Sequence, residues 1–346
     1  MLSAVELQDF RCFSQIHLEL GPETTWILGR NGEGKSSLLE AACVLLRLQS
    51  PRTSKALHLV RHGRPGFRVA GKVEGHLLSL VWQGGKRSMQ VDGLPESSSA
   101  DYLSFQSVVW FGSDDRRLVT DGADLRRRYL DFLGPQLEPS YSAVLRRYER
   151  ALKARNQLLK MPSFQSKALH AFDEPLLAAG YELITSRERL VKRLQQPVQA
   201  SYAEVSLSEE ALGLAYESLE LDQYRQQLSA AEPEDRRLRH TTVGPHRDDL
   251  GLYLDQQPAA LVASEGQKRS VALALKLGQA SVLAQPPLLL IDDVFGELDH
   301  ERRLAFLQCL PQNGQRVIST TGKEWLGESS GETVYRLAAG QLTLVD

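Results

Sequence analysis

A glycine-rich segment near the start of the chain has the residue types of a phosphate-binding loop. Gly29, Gly34, Lys35 and Ser36 fit the spacing G-x-x-x-x-G-K-[ST]. In such a loop the glycines let backbone N–H groups converge on phosphate oxygens, and the following helix N-terminus adds a favourable partial charge. Lys35 would reach the β- and γ-phosphates of ATP, and the Ser36 hydroxyl would bind Mg²⁺. The predicted nucleotide-binding residues here are Gly29, Arg30, Asn31, Gly32, Glu33, Gly34, Lys35, Ser36 and Ser37.

Two consecutive aspartates, Asp292 and Asp293, end the apolar segment PLLLIDD. The four apolar residues before them indicate a central strand of a parallel sheet, whose carboxyl end would reach the phosphates. Asp292 is the predicted Mg²⁺ ligand, directly or through water. Asp293 is the predicted base that polarises the attacking water. Asp293 and Lys35 are therefore the predicted catalytic residues.

A helix start precedes that strand in residues 262–280 (VASEGQKRSVALALKLGQA). Ser264 and Gln267 have the spacing of a capping box, which by itself explains an isolated helix. The pattern S-x-G-Q, about twenty residues before an apolar strand with two terminal aspartates, also resembles the signature motif of ABC-type ATPases. That resemblance implies that Ser264, Gly266 and Gln267 contact the γ-phosphate of ATP held by a second copy of the chain. Residues 296–299 (GELD) fall where the superfamily has its D-loop.

These motifs need a sheet that is assembled from both ends of the chain. Residues 26–28 indicate the end of a strand, and residues 37–48 indicate the helix after the loop. The predicted fold class is α/β: a P-loop head of the ABC type with a mostly parallel sheet, an antiparallel β subdomain near residues 66–92, and a helical arm without a long coiled coil. The predicted domains are a head formed by residues 1–112 and 240–346, and an arm formed by residues 113–239.

The insertion between the P-loop and the signature separates subclasses by its length. From Ser36 to Ser264 is 228 residues, more than the compact insertion of a transporter ATPase subunit. A coiled-coil SMC protein would place several hundred heptad residues there, and no sustained heptad is visible. Two apolar stripes indicate helices instead; their members are Tyr141, Val144, Leu145, Tyr148, Leu152 and Leu159, and Leu183, Ile184, Leu190, Val191 and Leu194. Pro162, Pro175 and Pro197 are expected to break these helices into segments of about 20 residues, each roughly 30 Å long.

Composition indicates a globular chain without a membrane segment. Of its 346 residues, 24% are charged and 42% are hydrophobic, which is ordinary for globular proteins. No apolar run, residues 288–291 included, approaches the roughly 20 residues that span a bilayer, so no membrane association is expected. Cys12, Cys43 and Cys309 are widely separated and include no CxxC pair. They are expected to be buried thiols of a cytoplasmic protein.

Several stretches resemble the RecF family of bacterial recombination-repair proteins along nearly the whole chain. They are LQDFRCFSQIHLEL before the loop, SPRTS after its helix, LVTDGADLRRRYLDFL, and GPHRDDL. The resemblance implies an SMC-like ATPase head that uses ATP and Mg²⁺, binds double-stranded DNA with a possible role for single-strand/double-strand junctions, and forms an ATP-dependent homodimer. It also implies RecR, with RecO, as partners in loading RecA recombinase at gapped DNA.

Two features differ from most ABC-type ATPases. Asp293 stands where most have glutamate, and residues 316–321 (RVISTT) end in threonines where transporters have a switch histidine. RecF-like proteins share both tendencies, so hydrolysis is expected to be slow and stimulated by DNA. The alternatives are an SMC-like head that clamps nucleic acid in another process and, disfavoured by the spacing, a transporter ATPase subunit.

Charge is unevenly distributed along the chain. Residues 47–87 contain nine Lys or Arg against one acid, residues 116–160 contain eleven against five, and residues 204–255 contain five Arg against twelve acids. A basic stretch can bind a polyanion even on a mildly acidic protein, although charge alone favours a solvated face. Solubility also explains a cluster of three arginines near the base of the arm, but the family tie to DNA favours phosphate contact. The predicted DNA-binding residues are Arg126, Arg127 and Arg128.

Three other positions stay open between a functional and a structural role. Arg11 resembles the early arginine that reaches nucleotide in SMC-like heads, or it lies on a hairpin surface. Gln106 is a candidate for the Q-loop glutamine that senses Mg²⁺. Residues 246–249 (HRDD) match a family motif, and a polar turn that enters a strand is the preferred interpretation.

Overall fold

The computed structural model describes residues 1–322 and 332–345. The chain divides into two compact units. The first unit combines Met1–Asp115 with the described part of the C-terminal segment that begins at Gln279, and the second unit is Arg116–Gly278. Residues 240–278, which the sequence analysis assigned to the head, are thus part of the second unit.

Strands and helices follow one another in this chain order. The strands are β1 (Leu2–Phe10), β2 (Phe13–Glu19), β3 (Thr24–Leu28), β4 (Gly66–Val73), β5 (His76–Gln83), β6 (Lys86–Val91), β7 (Leu94–Glu96), β8 (Val108–Gly112), β9 (Leu212–Glu217), β10 (Asp249–Leu254), β11 (Gln257–Pro258), β12 (Leu288–Asp292), β13 (Arg316–Thr320), β14 (Glu332–Ala338) and β15 (Gln341–Val345). The helices are α1 (Lys35–Arg47), α2 (Ser99–Ser104), α3 (Arg117–Thr120), α4 (Ala123–Leu137), α5 (Tyr141–Leu159), α6 (Ser166–Ser206), α7 (Tyr224–Ala230), α8 (Glu232–Leu238), α9 (Ala259–Val262), α10 (Glu265–Val282) and α11 (His300–Cys309).

The first unit contains the predicted mostly parallel sheet. Its strand order is β15-β14-β3-β13-β12-β8, and neighbours are parallel except for β14 and β15. Strand β12 is buried along its whole length, and a strand covered on both faces has no polar side, which explains its uninterrupted apolar sequence. Asp292 pairs with Gly112 on one side and Ser319 on the other. The carboxyl ends of these strands therefore lie at one edge of the sheet, and the P-loop begins at the end of β3.

The first unit also contains an antiparallel sheet with the order β2-β1-β4-β5-β6-β7. Strands β4, β5 and β6 form the meander predicted near residues 66–92. Glu74 and Gly75 join β4 to β5 with φ values of 50° and 89°. A two-residue turn with positive φ at both positions matches the right-handed twist of a hairpin. The α/β class and the antiparallel β subdomain predicted from the sequence are confirmed.

The second unit is helical apart from a small sheet with the order β11-β10-β9. Strand β10 pairs with β9 along its whole length, from Asp249 opposite Glu217 to Leu254 opposite Leu212. This pairing explains why the segment before the signature folds with the arm.

Helices α5 and α6 form the main core of the second unit. The buried members are Tyr141, Val144, Tyr148, Leu176, Leu177, Ala179, Leu183, Ile184, Leu190, Tyr224 and Leu228. Helix α6 has 41 residues, about 60 Å at 1.5 Å per residue, so the predicted breaks at Pro175 and Pro197 are wrong. Each proline removes one backbone hydrogen bond, but α6 buries apolar residues before, between and after the two prolines. Its packing therefore outweighs the local cost.

Buried arginines connect the helices of the second unit. Arg155 of α5 is 1% exposed, and its guanidinium donates to Asp173 of α6 (2.9 Å), to Asp235 of α8 (2.6 Å) and to Thr241 (2.9 Å). Removing one partner of such a buried ion pair costs about 3–5 kcal/mol, because it leaves an uncompensated charge.

Helix length and hydropathy also bear on membranes. Among the described residues, no helix is both long enough and apolar enough to cross a bilayer.

Candidate nucleotide-binding site

The P-loop joins β3 to α1 through a turn that requires glycine. Gly32 and Gly34 have φ values of 84° and 101°, in the region that side chains other than glycine rarely adopt. A Cβ atom on Gly34 would also come within 2.7 Å of the Cys12 sulfur and 2.8 Å of the Phe13 ring. Helix α1 begins at Lys35 without a side-chain cap, so its first N–H groups are available to an anion.

The Lys35 side chain is held inside the loop. Its Nζ donates to the carbonyl oxygens of Gly29 (2.7 Å) and Arg30 (3.0 Å), and Lys35 is only 6% exposed. Glu33 has a structural role, since its carboxylate accepts the backbone N–H of Ala339 (2.7 Å). The ammonium group is therefore positioned at the centre of the loop before any ligand contacts it.

A cavity of about 670 Å³ opens beside the P-loop, within the size range of small-molecule sites. Its lining residues are Arg11, Cys12, Asn31, Gly32, Gly34, Lys35, Ser36, Ser37, Arg52, His58, Val60, His62 and Asp293. Of the predicted site residues, the cavity thus brings Asp293 together with most of the P-loop. The arginines in its lining, Arg11 and Arg52, give it an anion-binding character.

The two aspartates after β12 have different surroundings. Asp292 is buried and accepts a hydrogen bond from the Ser319 hydroxyl (2.7 Å). Burial raises the pKa of Asp292, while hydrogen bonds from Ser319 and Ser36 act in the opposite direction. Asp293 has a φ of 53°, a conformation that aspartate tolerates better than most residues, and it lines the cavity.

These surroundings fit a hydrated divalent cation. A buried carboxylate with a raised pKa beside a serine hydroxyl supplies oxygen ligands, and a cation there would favour the ionised form. Asp292 and Ser36 are the residues that would hold Mg²⁺.

Glu40 is a functional candidate that the sequence analysis missed. It lies on α1 and is fully buried, and its carboxylate accepts two hydrogen bonds from Arg11 (2.8 and 2.7 Å) and one from Ser50 (2.6 Å). Arg52 approaches it at 3.4 Å. Glu40 therefore orients two arginines that line the cavity. A single acid in the apolar helix sequence LLEAACVLL was the signal.

Arg11 has features of both roles that the sequence left open, a hairpin position and a position beside the nucleotide cavity. It has a φ of 53° in the hairpin between β1 and β2, and its Nη1 also donates to the carbonyl of His58 (2.8 Å). It lines the nucleotide cavity, so it is more than a solvated surface residue.

The signature helix α10 begins with the predicted capping box, which is confirmed. The Gln267 side chain accepts the backbone N–H of Ser264 (2.7 Å), and the Ser264 hydroxyl accepts the backbone N–H of Gln267 (3.3 Å). The amide nitrogen of Gln267 also donates to Glu210 (2.6 and 2.8 Å), a partner that the sequence did not reveal. Ser264 is exposed and Gly266 is half-buried.

Gln106 does not reach the metal position. It precedes β8, whose other end, Gly112, pairs with Asp292. Strand β8 separates Gln106 from Gly112 and is about 17 Å long at 3.3 Å per residue. Gln106 therefore lies at the end of the parallel sheet opposite to the carboxyl ends of the strands, which argues against a Q-loop role for it.

The segment 244–250 is a polar turn that enters β10, as preferred from the sequence. The backbone N–H of Arg247 donates to the carbonyl of Gly244 (2.8 Å). His246 contacts the Tyr148 hydroxyl through Nδ1 (2.6 Å) and the Thr241 carbonyl through Nε2 (2.9 Å). Burial lowers the pKa of His246 from 6.5 to about 4, so its ring is neutral at pH 7.

The three arginines predicted to bind DNA differ in exposure. Arg126 is 12% exposed and makes two hydrogen bonds of 2.7 Å to the Asp249 carboxylate. Arg127 is 13% exposed and binds Asp124 and the Asp248 carbonyl. Only Arg128 has an exposed side chain. Two of the three guanidinium groups are therefore occupied within the second unit, which argues against the cluster acting as a unit on DNA.

The fold and the site define a P-loop ATPase of the ABC type. Residues 4–240 match the family described as AAA domain. The protein described as DNA replication and repair protein RecF from Anaeromyxobacter sp. (strain Fw109-5) is 34% identical, covering 99% of this chain and 98% of the relative. RecF from Myxococcus xanthus (strain DK1622) is also 34% identical, covering 96% and 94%.

Solved structures agree with these relatives. A structure of the recombination mediator protein RecF with ATP, in the RecFOR pathway, has a TM-score of 0.90 at 26% identity and covers 100% of this chain and 97% of that chain. An Smc head domain with an extended coiled coil, from Pyrococcus furiosus, has a TM-score of 0.57 at 16% identity, covering 99% and 95%, and supports the fold alone. The chain belongs to the RecF family of DNA replication and repair proteins.

Proposed function

We propose that the chain is an ATP-dependent DNA-binding ATPase of recombinational repair that works with RecR and RecO to load RecA at gapped DNA. The observation that carries the proposal is the cavity that joins the P-loop, Lys35 and Asp293. The relatives named for DNA replication and repair, and the solved relative with ATP in the RecFOR pathway, support the biological setting. Action on chromosomal DNA would place the protein in the cytoplasm.

Different site residues bind the phosphates of ATP, hold Mg²⁺ and activate the attacking water. Backbone N–H groups of the P-loop and the α1 N-terminus bind phosphate oxygens, and Lys35 neutralises the β- and γ-phosphates. Asp292 and Ser36 hold Mg²⁺, which would neutralise charge between those phosphates when bound. Asp293 orients and polarises the attacking water. Its side chain is one methylene shorter than the usual glutamate, which supports slow hydrolysis; the relatives named for DNA replication and repair support stimulation by DNA.

ATP would be shared between two copies of the chain. Ser264, with Gly266 and Gln267, would contact the γ-phosphate held by the P-loop of the partner copy. The exposure of Ser264 at the start of α10 supports this role, because a helix N-terminus favours anions. ATP would then stabilise a dimer that binds double-stranded DNA, including single-strand/double-strand junctions.

Nucleotide binding and hydrolysis test the site separately. Lys35→Ala should lower ATP affinity by about 10- to 100-fold, since a hydrogen bond to a charged group contributes about 1.5–3 kcal/mol. Asp293→Asn should retain ATP affinity and lower hydrolysis by about 10²- to 10⁴-fold. Lys55→Ala and Asp114→Asn, at exposed positions, are the matched controls. Hydrolysis at the normal rate by Asp293→Asn would remove Asp293 as the base.

A mixing experiment tests the shared site. Lys35→Ala has a defective P-loop and Ser264→Arg has a blocked signature, so neither homodimer has a working site. A mixed dimer joins one intact P-loop to one intact signature, and partial ATPase recovery is expected if one site can act alone. The absence of recovery, with mixed dimers shown to form by sedimentation, would leave the shared site unsupported. Two other results would favour the alternative of an SMC-like head in another process. One is binding of duplex DNA in the absence of ATP. The other is a failure of the protein to bind RecR both with and without ATP.

A further inference from the structure

Helix α5 of the second unit carries an exposed row of four cations. Arg146, Arg150, Lys153 and Lys160 are all exposed, and Lys160 continues the helical conformation as its C-cap with φ −84° and ψ −12°. Their spacings of four, three and seven residues place them within about 80° of one helix face at 100° per residue. From the first to the last, the row is about 21 Å long at 1.5 Å per residue.

The other arginines of α5 form ion pairs with acids, whereas no member of the row forms one among the described residues. Arg147, beside the row, forms an ion pair with Glu182. Arg155, on the buried face, binds Asp173 and Asp235. Within the row, Arg150 Nε donates a hydrogen bond to the carbonyl of Arg146 (3.2 Å), which is internal to the helix. The fold has therefore neutralised the arginines outside the row and left the row's charge to solvent.

The surroundings of the row are also poor in acids and in apolar surface. One acid of the same helix, Glu149, flanks the row: burial and Asp131 raise its pKa, while Arg187 and Arg146 of the row act in the opposite direction. The aromatic residues of α5, Tyr141 and Tyr148, are buried. The exposed positions of α5 include one apolar residue, Ala143.

We propose that this row binds the sugar-phosphate backbone of double-stranded DNA, a proposal that rests on the proposed function. The buried centre of a protein interface is typically enriched in aromatic residues and poor in charge, and single strands are typically bound through exposed aromatic rings on which bases stack. The row offers neither. Lysine and arginine without either feature fit phosphates, and 21 Å corresponds to about six base pairs at 3.4 Å each. Contact with DNA at this place would be independent of sequence.

Two lysine pairs provide a matched test. Lys153→Gln/Lys160→Gln removes two charges from the row. Lys167→Gln/Lys192→Gln removes two charges from exposed positions of α6, without changing the row. Both variants lose the same net charge and the same residue type, and circular dichroism checks that both are folded. Binding to a duplex oligonucleotide is measured with ATP from 50 to 200 mM salt.

The expected result is a salt slope of log K that is lower in magnitude by about 2 for the row variant, since each phosphate contact contributes about 0.9. The loss of affinity between 50 and 200 mM salt would then be about 12-fold smaller than for the unmodified protein. The α6 variant should keep the unmodified slope.

Three outcomes would overturn a role of the row. The first is an unchanged salt slope in the row variant. The second is an equal decrease of the slope in both variants, which would be an effect of net charge. The third is a decrease of the slope for single-stranded DNA with no decrease for duplex DNA. An unchanged slope would favour an acidic protein surface, in place of DNA, as the partner of the row. If the unmodified protein bound no DNA, the proposed function itself would fail, which is a different result from an unchanged slope.

Discussion

Acid should destabilise the second unit through one buried histidine. The Nε2 of His246 faces the carbonyl of Thr241, which can only accept, so this nitrogen carries the proton. Nδ1 then accepts from the Tyr148 hydroxyl. Protonation of Nδ1 would replace this acceptor with a donor in a largely buried site. Desolvation is the main cause that lowers the pKa of His246, and the positive charges of Arg247 and Arg127 add to it.

The magnitude follows from the shift between the two states. The pKa of His246 is 6.5 unfolded and about 4 folded, so between these values the unfolded chain binds more protons and stability decreases as the pH falls. One pKa unit corresponds to about 1.4 kcal/mol, so the full effect is about 3 kcal/mol. The contribution is fully present above pH 6.5. About 2 kcal/mol of it should be lost by pH 5.

Urea unfolding at pH 7.5 and pH 5 measures this loss, and the two units give different signals. All four tryptophans lie outside residues 116–278, so tryptophan fluorescence follows the first unit. Circular dichroism at 222 nm mainly follows the helices of the second unit. The comparison uses His246→Gln, which cannot titrate, and His240→Gln, a control at a half-buried position of the same unit.

The unmodified protein and His240→Gln should lose about 2 kcal/mol more than His246→Gln between the two pH values, in the dichroism signal only. Equal losses in all three proteins would refute the reasoning, because the histidine would then titrate alike in both states. A larger loss in the fluorescence signal would place the acid-sensitive group in the first unit.

Two further predictions concern ion pairs. Glu40→Gln should lower the free energy of unfolding of the first unit by about 3 kcal/mol, because it removes the charge from a buried carboxylate that binds arginine. Urea unfolding followed by tryptophan fluorescence measures this loss. The control Glu19→Gln, at an exposed position, should change the free energy of unfolding by less than about 0.5 kcal/mol. Arg126→Ala should destabilise the second unit by about 2–3 kcal/mol and Arg128→Ala by less than about 0.5 kcal/mol, as measured by circular dichroism. Similar values for the two arginines would contradict the assignment of Arg126 as a structural residue.

The P-loop and the strand that ends at Asp292 could be predicted because their chemistry restricts residue type and spacing locally. Gly34 needs a positive φ and has no room for a Cβ atom, so the sequence records the geometry directly. The capping box at Ser264 is also local, since both of its hydrogen bonds join residues three apart. Such features need no knowledge of distant contacts.

Other features depend on contacts between distant segments, which one sequence does not record. Glu40 is important because Arg11, Ser50 and Arg52 converge on it from three places. The place of Gln106 depends on the direction of β8 in the sheet. The continuity of α6 through its prolines depends on packing along its whole length. In each case tertiary structure decides what local preference leaves open.

The GPHRDDL segment shows how a strong sequence pattern can be mainly structural. Gly244 has a φ of 132°, and a Cβ atom there would lie 2.7 Å from a tyrosine hydroxyl. His246, Asp248 and Asp249 each hold a side chain from another element of the second unit, whereas Arg247 is exposed. Substitutions of Gly244, His246, Asp248 or Asp249 would therefore act on the stability of the second unit, and any effect on DNA or ATP would be indirect. Arg247 is the position of the motif whose replacement tests a ligand contact without disturbing the fold.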